Sequence, residues 1–197
     1  MTRTSGILLA AGLSVRFGSP KALAPLNGST VIESLQQVML NSGLDEIVIV
    51  LGAHVEEIKP LLLKHKKIKV VYNKDYNLGQ TSSFQAALRQ IDSKTKAILL
   101  LPVDYPRLTA AMLDLLIDAF FHQKAKILVP TFNGRKGHPP IFAASLKEEF
   151  LEVDPKDGIN SVIHRHDKDT VLLPVQDASV LKTFNTKEEF EAINPQG

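Results

Sequence analysis

The sequence predicts an α/β fold in three layers, with a mostly parallel sheet held between helices. Short apolar runs show no polar alternation, which marks strands covered on both faces. Between them lie segments with helical spacing, so strand and helix alternate along the chain. The strands are expected at "GILLA" (6–10), "EIVIVLG" (46–52), "IKVVYN" (68–73), "AILLLPVD" (97–104) and "AKILVPTF" (125–132). The helices are expected at 30–43, 54–65, 82–91 and 109–123, with Gly43 as a stop for the first and Thr109 as the N-cap of the fourth. Beyond 132 the pattern loosens through "NGRKGHPPIF" (133–142). A helix then begins at Ser145, where Glu148 gives capping-box spacing; "DPKDG" (154–158) is a turn and "INSVIHRH" (159–166) a short helix. "TVLLPV" (170–175) reads as a last strand and "TKEEFEAI" (186–193) as a last helix. The basic run "KHKKIK" (64–69) reads as a helix end facing water, where cations also suit the helix dipole.

With 197 residues, 44% of them hydrophobic, the chain supports a single domain over 1–197 with a substantial core. Lys and Arg number 23 against 21 Asp and Glu, a net charge of +2 that is too small for a binder driven by nucleic-acid phosphates. The absence of cysteine excludes disulfides, thiolate metal sites and cysteine nucleophiles, and is compatible with a reducing compartment. "MTRTSGILLAAG" is too short in its apolar run for a secretory signal, and no stretch approaches a membrane span of about 20 apolar residues. A cytoplasmic protein without membrane or nucleic-acid partners is expected.

The stretch "LLAAGLSVRFGSPK" (8–21) runs from an apolar strand into glycines and two cations, Arg16 and Lys21. Such loops hold phosphates because bare backbone N–H groups approach closely and a helix start adds positive potential. It is not a Walker A loop, since Lys21 is preceded by Pro20 and followed by Ala22, and it lacks a glycine of the dinucleotide fingerprint. The residues instead resemble the nucleotidyltransferase superfamily signature L-A-[AG]-G-x-S-x-R-[FM]-G-x-x-K. Leu9, Ala10, Ala11, Gly12, Ser14, Arg16, Phe17, Gly18 and Lys21 all fall in place. The resemblance implies a Rossmann-like fold of the nucleotide-diphospho-sugar transferase kind, with a nucleoside triphosphate held by Leu9, Ala10, Ala11, Gly12, Ser14, Arg16 and Lys21. A triphosphate carries about four negative charges, which shield its α-phosphorus until they are offset. Arg16 can fork onto β- and γ-oxygens, and Lys21 can place a point charge near the α-phosphate. Pro20 fixes the turn from which Lys21 starts.

On the residue alone, Asp104 in "AILLLPVDYPRLT" is either a Mg²⁺ ligand at the carboxyl end of a buried strand or an Asx-turn leading into Pro106. The strand–Asp–x–Pro arrangement is similar to the superfamily's metal motif, which implies the ligand. Its second ligand comes from a late loop, D-[IV]-[ND]-T-P-E-D, where this chain reads "TFNTKEEF" (183–190). Asn185 occupies the matching position and offers an amide oxygen, while Thr183 stands where aspartate is common and Lys187 where proline is common. Thr186 and Glu189 also have capping-box spacing, and ligand and cap can coexist.

"NKDYNLGQTSSF" (73–84) resembles the N-x-[DE]-[WY]-x-x-G-M-x-x-S-L segment of molybdenum cofactor cytidylyltransferases and related maturation proteins. That likeness implies Gly79, Ser82 and Ser83 beside the base and ribose; without it the stretch is a glycine turn with serine caps. "GRKGHPPIF" (134–142) is similar to the same group's G-x-x-G-H-P-[VP]-x-[FL], implying Gly137 and His138 on the acceptor side; without it His138 is a surface or packing histidine. "LAAG" rather than "LAGG", and "GQTSS", favour the cytidylyl branch over the guanylyl branch. The implied reaction is Mg²⁺-dependent transfer of CMP from CTP to the terminal phosphate of the molybdenum cofactor (molybdopterin), with pyrophosphate released. Arg16, Lys21 and Asp104 form the implied catalytic set and Asp104 and Asn185 the metal set, with a molybdenum hydroxylase as the implied protein partner. The alternatives are transfer from GTP or to a sugar phosphate, and a non-catalytic binding role in maturation.

Overall fold

A computed structural model describes residues 3–194. In chain order the elements are β1 (Arg3–Ala10), the hairpin β2 (Pro25–Leu26) and β3 (Ser29–Thr30), α1 (Val31–Leu40), β4 (Glu46–Leu51), α2 (Val55–Ile58), β5 (Ile68–Tyr72), α3 (Gln80–Leu88), β6 (Thr95–Pro102), α4 (Ala110–His122), β7 (Ile127–Phe132), β8 (Arg135–Lys136), β9 (Ile141–Ala143), α5 (Lys147–Glu152), α6 (Asn160–Arg165), β10 (Thr170–Pro174) and α7 (Lys187–Ile193). The large sheet has the order β10-β7-β9-β6-β1-β4-β5, with β8 beside β7. Its pairs are parallel except those made by β8 and β9.

The uninterrupted apolar runs follow from burial on both faces. Leu8, Ala10, Ile47, Ile49, Leu99 and Leu101 pack toward α1 and α4 through Leu35, Leu113 and Leu116. Their sequence neighbours Ile7, Leu9, Val48, Val50, Ile98 and Leu100 pack toward Phe84 of α3, Phe150 of α5 and Val162 of α6. A period of two thus sends each strand's residues into two separate cores, and the three-layer expectation holds. From β1 the chain moves outward through β4 to β5, then returns to β6 on the other side of β1. At that reversal the loops after β1 and β6 part, opening a crevice beyond the strands' carboxyl ends.

Several local expectations change. Helix α1 is capped by Thr30 and Glu33 in a reciprocal capping box but stops at Leu40, before Gly43; the Gly43 N–H instead donates to Asp114 Oδ1 at 2.6 Å. The helix expected over 54–65 is only α2 and a 3-10 turn, Lys59–Leu61, because Pro60 has no N–H with which to continue the α ladder. The basic run therefore ends no helix: Lys67 Nζ donates to the Leu44 carbonyl at 2.7 Å, and Lys69, in β5, pairs with buried Glu46 at 2.6 Å. Ser145 caps nothing, since it lies inside a 3-10 turn, Ala144–Leu146, that precedes α5. The loosened stretch after 132 contains β8 and β9, two strands too short to show a periodicity. Thr109 does cap α4, accepting the Met112 N–H at 3.2 Å. Among the described residues, no helix is long and apolar enough to cross a membrane.

Candidate active site

The crevice contains a cleft of about 430 Å³. One wall is the loop after β1. Ser14 shapes it from a left-handed backbone conformation (φ 54°), its carbonyl accepting the Phe17 and Gly18 N–H groups at 3.0 and 3.1 Å. Its hydroxyl accepts the Lys21 N–H at 3.1 Å, so Ser14 fixes the point from which Lys21 reaches the cleft. The loop also rests on the end of β4, where Ala53 N–H donates to the Ala11 carbonyl at 3.0 Å. A Cβ at Gly52 would fall 2.8 Å from that carbonyl oxygen and 2.5 Å from Tyr76 Cβ, so only glycine permits the approach. The sequence reading did not single out Gly52.

The late loop arrives from the other end of the chain. Phe17 sits 5.2 Å from Phe184 and 5.9 Å from Phe190, centroid to centroid, and Phe184 lies 4.6 Å from Phe190. These buried rings lock the loop after β1 to the segment entering α7. The Phe184 N–H donates to the Asp104 carbonyl at 3.2 Å, which adds the end of β6. Each polar residue beside this cluster is thereby turned toward one point. Arg16 Nη2 donates to Asn185 Oδ1 at 2.9 Å, Lys21 Nζ donates to the same oxygen at 3.0 Å, and Lys21 Nζ lies 3.4 Å from Asp104 Oδ2. Arg16, Lys21, Asp104 and Asn185 thus meet although the sequence separates Arg16 from Asn185 by 169 positions.

The Asx-turn alternative for Asp104 is not what its carboxylate does. Oδ2 faces Lys21, and Oδ1 is buried with no hydrogen-bond partner among the described residues. An unpartnered buried carboxylate oxygen beside an amide oxygen is a donor set suited to a hard divalent cation. Among the described residues no group of three or more His, Cys, Asp or Glu could hold a metal. At Asn185 the cap and the inward amide coexist: its N–H donates to Glu189 Oε2 at 2.6 Å, and Thr186 accepts the Glu189 N–H at 3.2 Å. Lys187 faces a different groove, beside Phe190 and Glu57.

Leu9, Ala10, Ala11, Gly12, Ser14, Arg16 and Lys21 line the cleft, as do Gly79 and Ser83. Gly79 has φ 98°, a conformation that favours glycine, at the start of α3. Ser82 is turned away: its hydroxyl donates to the Asp75 and Gly79 carbonyls at 2.8 and 2.9 Å and accepts from Asn73 Nδ2 at 3.0 Å. Tyr76, Asn77 and Gln80 also line the cleft; they lie within the quoted segment 73–84 but were not singled out as site residues. Gly137 and His138 lie instead in a second cavity of about 270 Å³. Gly137 packs against Val180, whose carbonyl oxygen would lie 2.6 Å from a Cβ. The His138 ring stacks on Tyr105 at 4.4 Å, next to Asp104. Burial holds His138 below the usual histidine value against the opposing pull of Asp104. Burial, then the Asp104 charge, pushes the Tyr105 hydroxyl up to about 12.

A model of the MobA-like NTP transferase domain matches residues 6–170. A probable molybdenum cofactor guanylyltransferase of Bacillus cereus (strain AH187) is 33% identical over 144 residues, covering 73% of this chain and 68% of that protein. Nicotine blue oxidoreductase of Paenarthrobacter nicotinovorans is 32% identical over 151 residues, covering 73% of this chain and 72% of its own. Among solved structures, the Mycobacterium sp. strain JC1 homologue of a Mycobacterium tuberculosis protein superposes with a TM-score of 0.86 at 26% identity, covering 98% of this chain and 96% of that one. The guanylyltransferase relatives overturn the expectation of CTP and CMP transfer. The physical reason is local. "LAAG" brings no polar side chain to the cleft, and Ser82 of "GQTSS" is spent inside its own loop, so neither "LAAG" nor Ser82 tells cytosine from guanine.

Proposed function

Because the chain belongs to the MobA-like NTP transferase family, a nucleotidyltransferase class of enzymes, we propose that it moves GMP from GTP to the terminal phosphate of the molybdenum cofactor and releases pyrophosphate. The observation that carries this reading is the meeting of Arg16, Lys21, Asp104 and Asn185 at one cleft, with Asp104 Oδ1 left unpartnered. An oxygen of the acceptor phosphate attacks the α-phosphorus, the bond to the bridging oxygen breaks, and pyrophosphate departs with the electron pair. The acceptor phosphate is already ionised at neutral pH, so no side chain has to serve as a covalent nucleophile. Arg16 and Lys21 orient the polyphosphate and offset the charge that gathers on the leaving group. The Lys21 side chain is only 13% exposed, so its attraction for a phosphate is less screened than in water. At 4 Å a unit pair is worth about 4 kcal/mol at an effective dielectric of 20, against about 1 in bulk water.

Asp104 and Asn185 are the residues that would hold Mg²⁺. When bound, the cation supplies neutralisation of phosphate charge and a fixed template for the reacting oxygens. Gly79 and Ser83 stand on the nucleotide side, and Gly137 and His138 on the acceptor side. On this reading the reaction is a cytoplasmic one, with a molybdenum enzyme as the consumer of the product. One relative is named for a redox reaction, so the decisive readout is pyrophosphate, which nucleotidyl transfer alone produces. The full chain incubated with GTP, Mg²⁺ and molybdenum cofactor is expected to release pyrophosphate, and CTP in place of GTP is expected to support a slower rate. Stoichiometric nucleotide binding without release would refute the transferase reading.

A further inference from the structure

Asn185 Oδ1 is an amide oxygen with two lone pairs, and it already accepts twice: from Arg16 Nη2 at 2.9 Å and from Lys21 Nζ at 3.0 Å. Lys21 Nζ also lies 3.4 Å from Asp104 Oδ2 and 5.3 Å from the centroid of the Phe184 ring, over which it sits. The ammonium thus has a built seat, made of two oxygens and an aromatic face, between the late loop and the end of β6. At the other end of the residue the backbone is fixed, because the Ser14 hydroxyl accepts the Lys21 N–H at 3.1 Å. Only the side chain is left to move.

That seat overlaps the donor set for a divalent cation. Mg²⁺ binds oxygen at about 2.0–2.1 Å, so on Asn185 Oδ1 it would stand within about 5 Å of the ammonium and compete for a lone pair already in use. Like charges at that separation repel, and the Lys21 side chain is only 13% exposed, so water screens them poorly. Of the side-chain oxygens on Asp104 and Asn185, only Asp104 Oδ1 has no hydrogen-bond partner among the described residues. A single open oxygen is a poor start for the octahedral shell of a small, hard cation.

We infer that Lys21, assisted by Arg16, gates the metal pair: in the protein alone it keeps Asp104 and Asn185 closed to divalent cations, and the polyphosphate opens them by drawing both side chains onto its own oxygens. The inference rests on the nucleotidyl-transfer reading and goes beyond it by fixing the order of entry. The metal enters after the nucleotide or together with it, not before. Phosphate oxygens are charged acceptors, so they attract Arg16 and Lys21 more strongly than a neutral amide oxygen does. Each cation exchanges one oxygen partner for another, and nucleotide and metal raise each other's affinity by the same factor.

Titration of the full chain with Mn²⁺ alone, followed by the electron paramagnetic resonance of the free ion, measures the gate without turnover. Wild type is expected to bind Mn²⁺ weakly, and Lys21→Met to bind one ion about tenfold more tightly or better. Lys21→Gln repeats the test with a polar, neutral side chain should the methionine variant fail to fold. Adding Asp104→Asn to the Lys21 variant is expected to abolish the gain, which locates the ion at the pair. Arg16→Met, which frees one lone pair of Asn185 but leaves Lys21 on Asp104, is expected to give a smaller gain. Folded Lys21 variants with Mn²⁺ affinity within about twofold of wild type would overturn the inference. So would a gain that survives Asp104→Asn, or an equal gain in Arg16→Met, which signals net charge and not the seat. Pyrophosphate release by wild type with GTP, Mg²⁺ and molybdenum cofactor is measured alongside. Its presence without the Mn²⁺ difference removes the gate alone, whereas its absence overturns the nucleotidyl-transfer reading itself.

Discussion

At Asp104 the two carboxylate oxygens have different surroundings. Oδ2 is matched to Lys21 at 3.4 Å, and Oδ1 is buried without a partner among the described residues. A group left in that condition costs free energy in the resting protein, which a ligand that pairs it recovers. On the proposed reading, Asp104→Asn is expected to lower kcat by about 10²- to 10³-fold. Its melting temperature should change little, since among the described residues the carboxylate has only the Lys21 partner to lose; single-turnover pyrophosphate release and a thermal melt check the two halves. An active variant with unchanged Mg²⁺ dependence would remove Asp104 from the metal set. Asn185 tests the same idea from the opposite direction. Its neutral amide oxygen is shared by Arg16 and Lys21, so Asn185→Asp adds a charged oxygen donor where a weaker one stands. Titrating Mg²⁺ against rate is expected to give half-maximal activity at a lower metal concentration than in the wild type.

Two loops distant in sequence form the site because an aromatic cluster joins them. Phe17, Phe184 and Phe190 are buried and touch edge to face or tilted, and Arg16 and Asn185 are the immediate neighbours of the first two. The loop after β1 was legible in the sequence, because a phosphate loop concentrates its glycines, serine and cations within one short stretch. The joint was not. Phe17 and Phe184 each read as an ordinary apolar residue, and no local pattern reports a contact across most of the chain. The inward turn of Ser82 was illegible for a related reason: a serine after a glycine turn fits a ligand contact and a loop brace equally well until Asn73 is seen behind it. Phe184→Leu keeps an apolar side chain but loses the ring contacts, at a cost of about 1–1.5 kcal/mol. Because the loss loosens Asn185 relative to Arg16, the KM for GTP is expected to rise several-fold while the urea midpoint falls only slightly. A stability loss with no change in KM would separate the cluster from the site.

For the molecule as a whole, the layer order was readable because burial on both faces demands unbroken apolar strands, and the central runs of β1, β4, β6 and β7 obey that demand, whereas the edge strand β5 carries exposed Lys69 and Tyr72. The departures occur where few residues carry the signal: at Pro60, which cuts a helical pattern short, and in β8 and β9, which are set by pairing with β6 and β7 rather than by their own sequence. The opposite end of the sheet from the cleft holds a charge that no motif announced. Glu46 is 2% exposed. Burial opposes its ionisation, yet the Asp92 N–H at 2.9 Å, the Lys69 ammonium at 2.6 Å and the Ser5 hydroxyl at 2.6 Å outweigh burial and hold its carboxyl below the usual carboxylate range. These contacts tie β1, β4, β5 and the start of β6 together, since Ser5 also meets Thr95 at 2.7 Å. A carboxylate whose folded value is lowered contributes stability that is present above its unfolded value of about 4.3 and is lost as pH falls through the folded value. Glu46→Gln removes the charge while keeping the shape, so at pH 7 it is expected to lower the unfolding free energy by about 1–3 kcal/mol. The gap between variant and wild type should then narrow as the pH is lowered through the carboxylate range, because the wild-type residue becomes neutral as well. Urea melts at about pH 7 and about pH 3.5 measure both ends of that window, and a gap of equal size at each would assign the effect to altered packing and not to the charge.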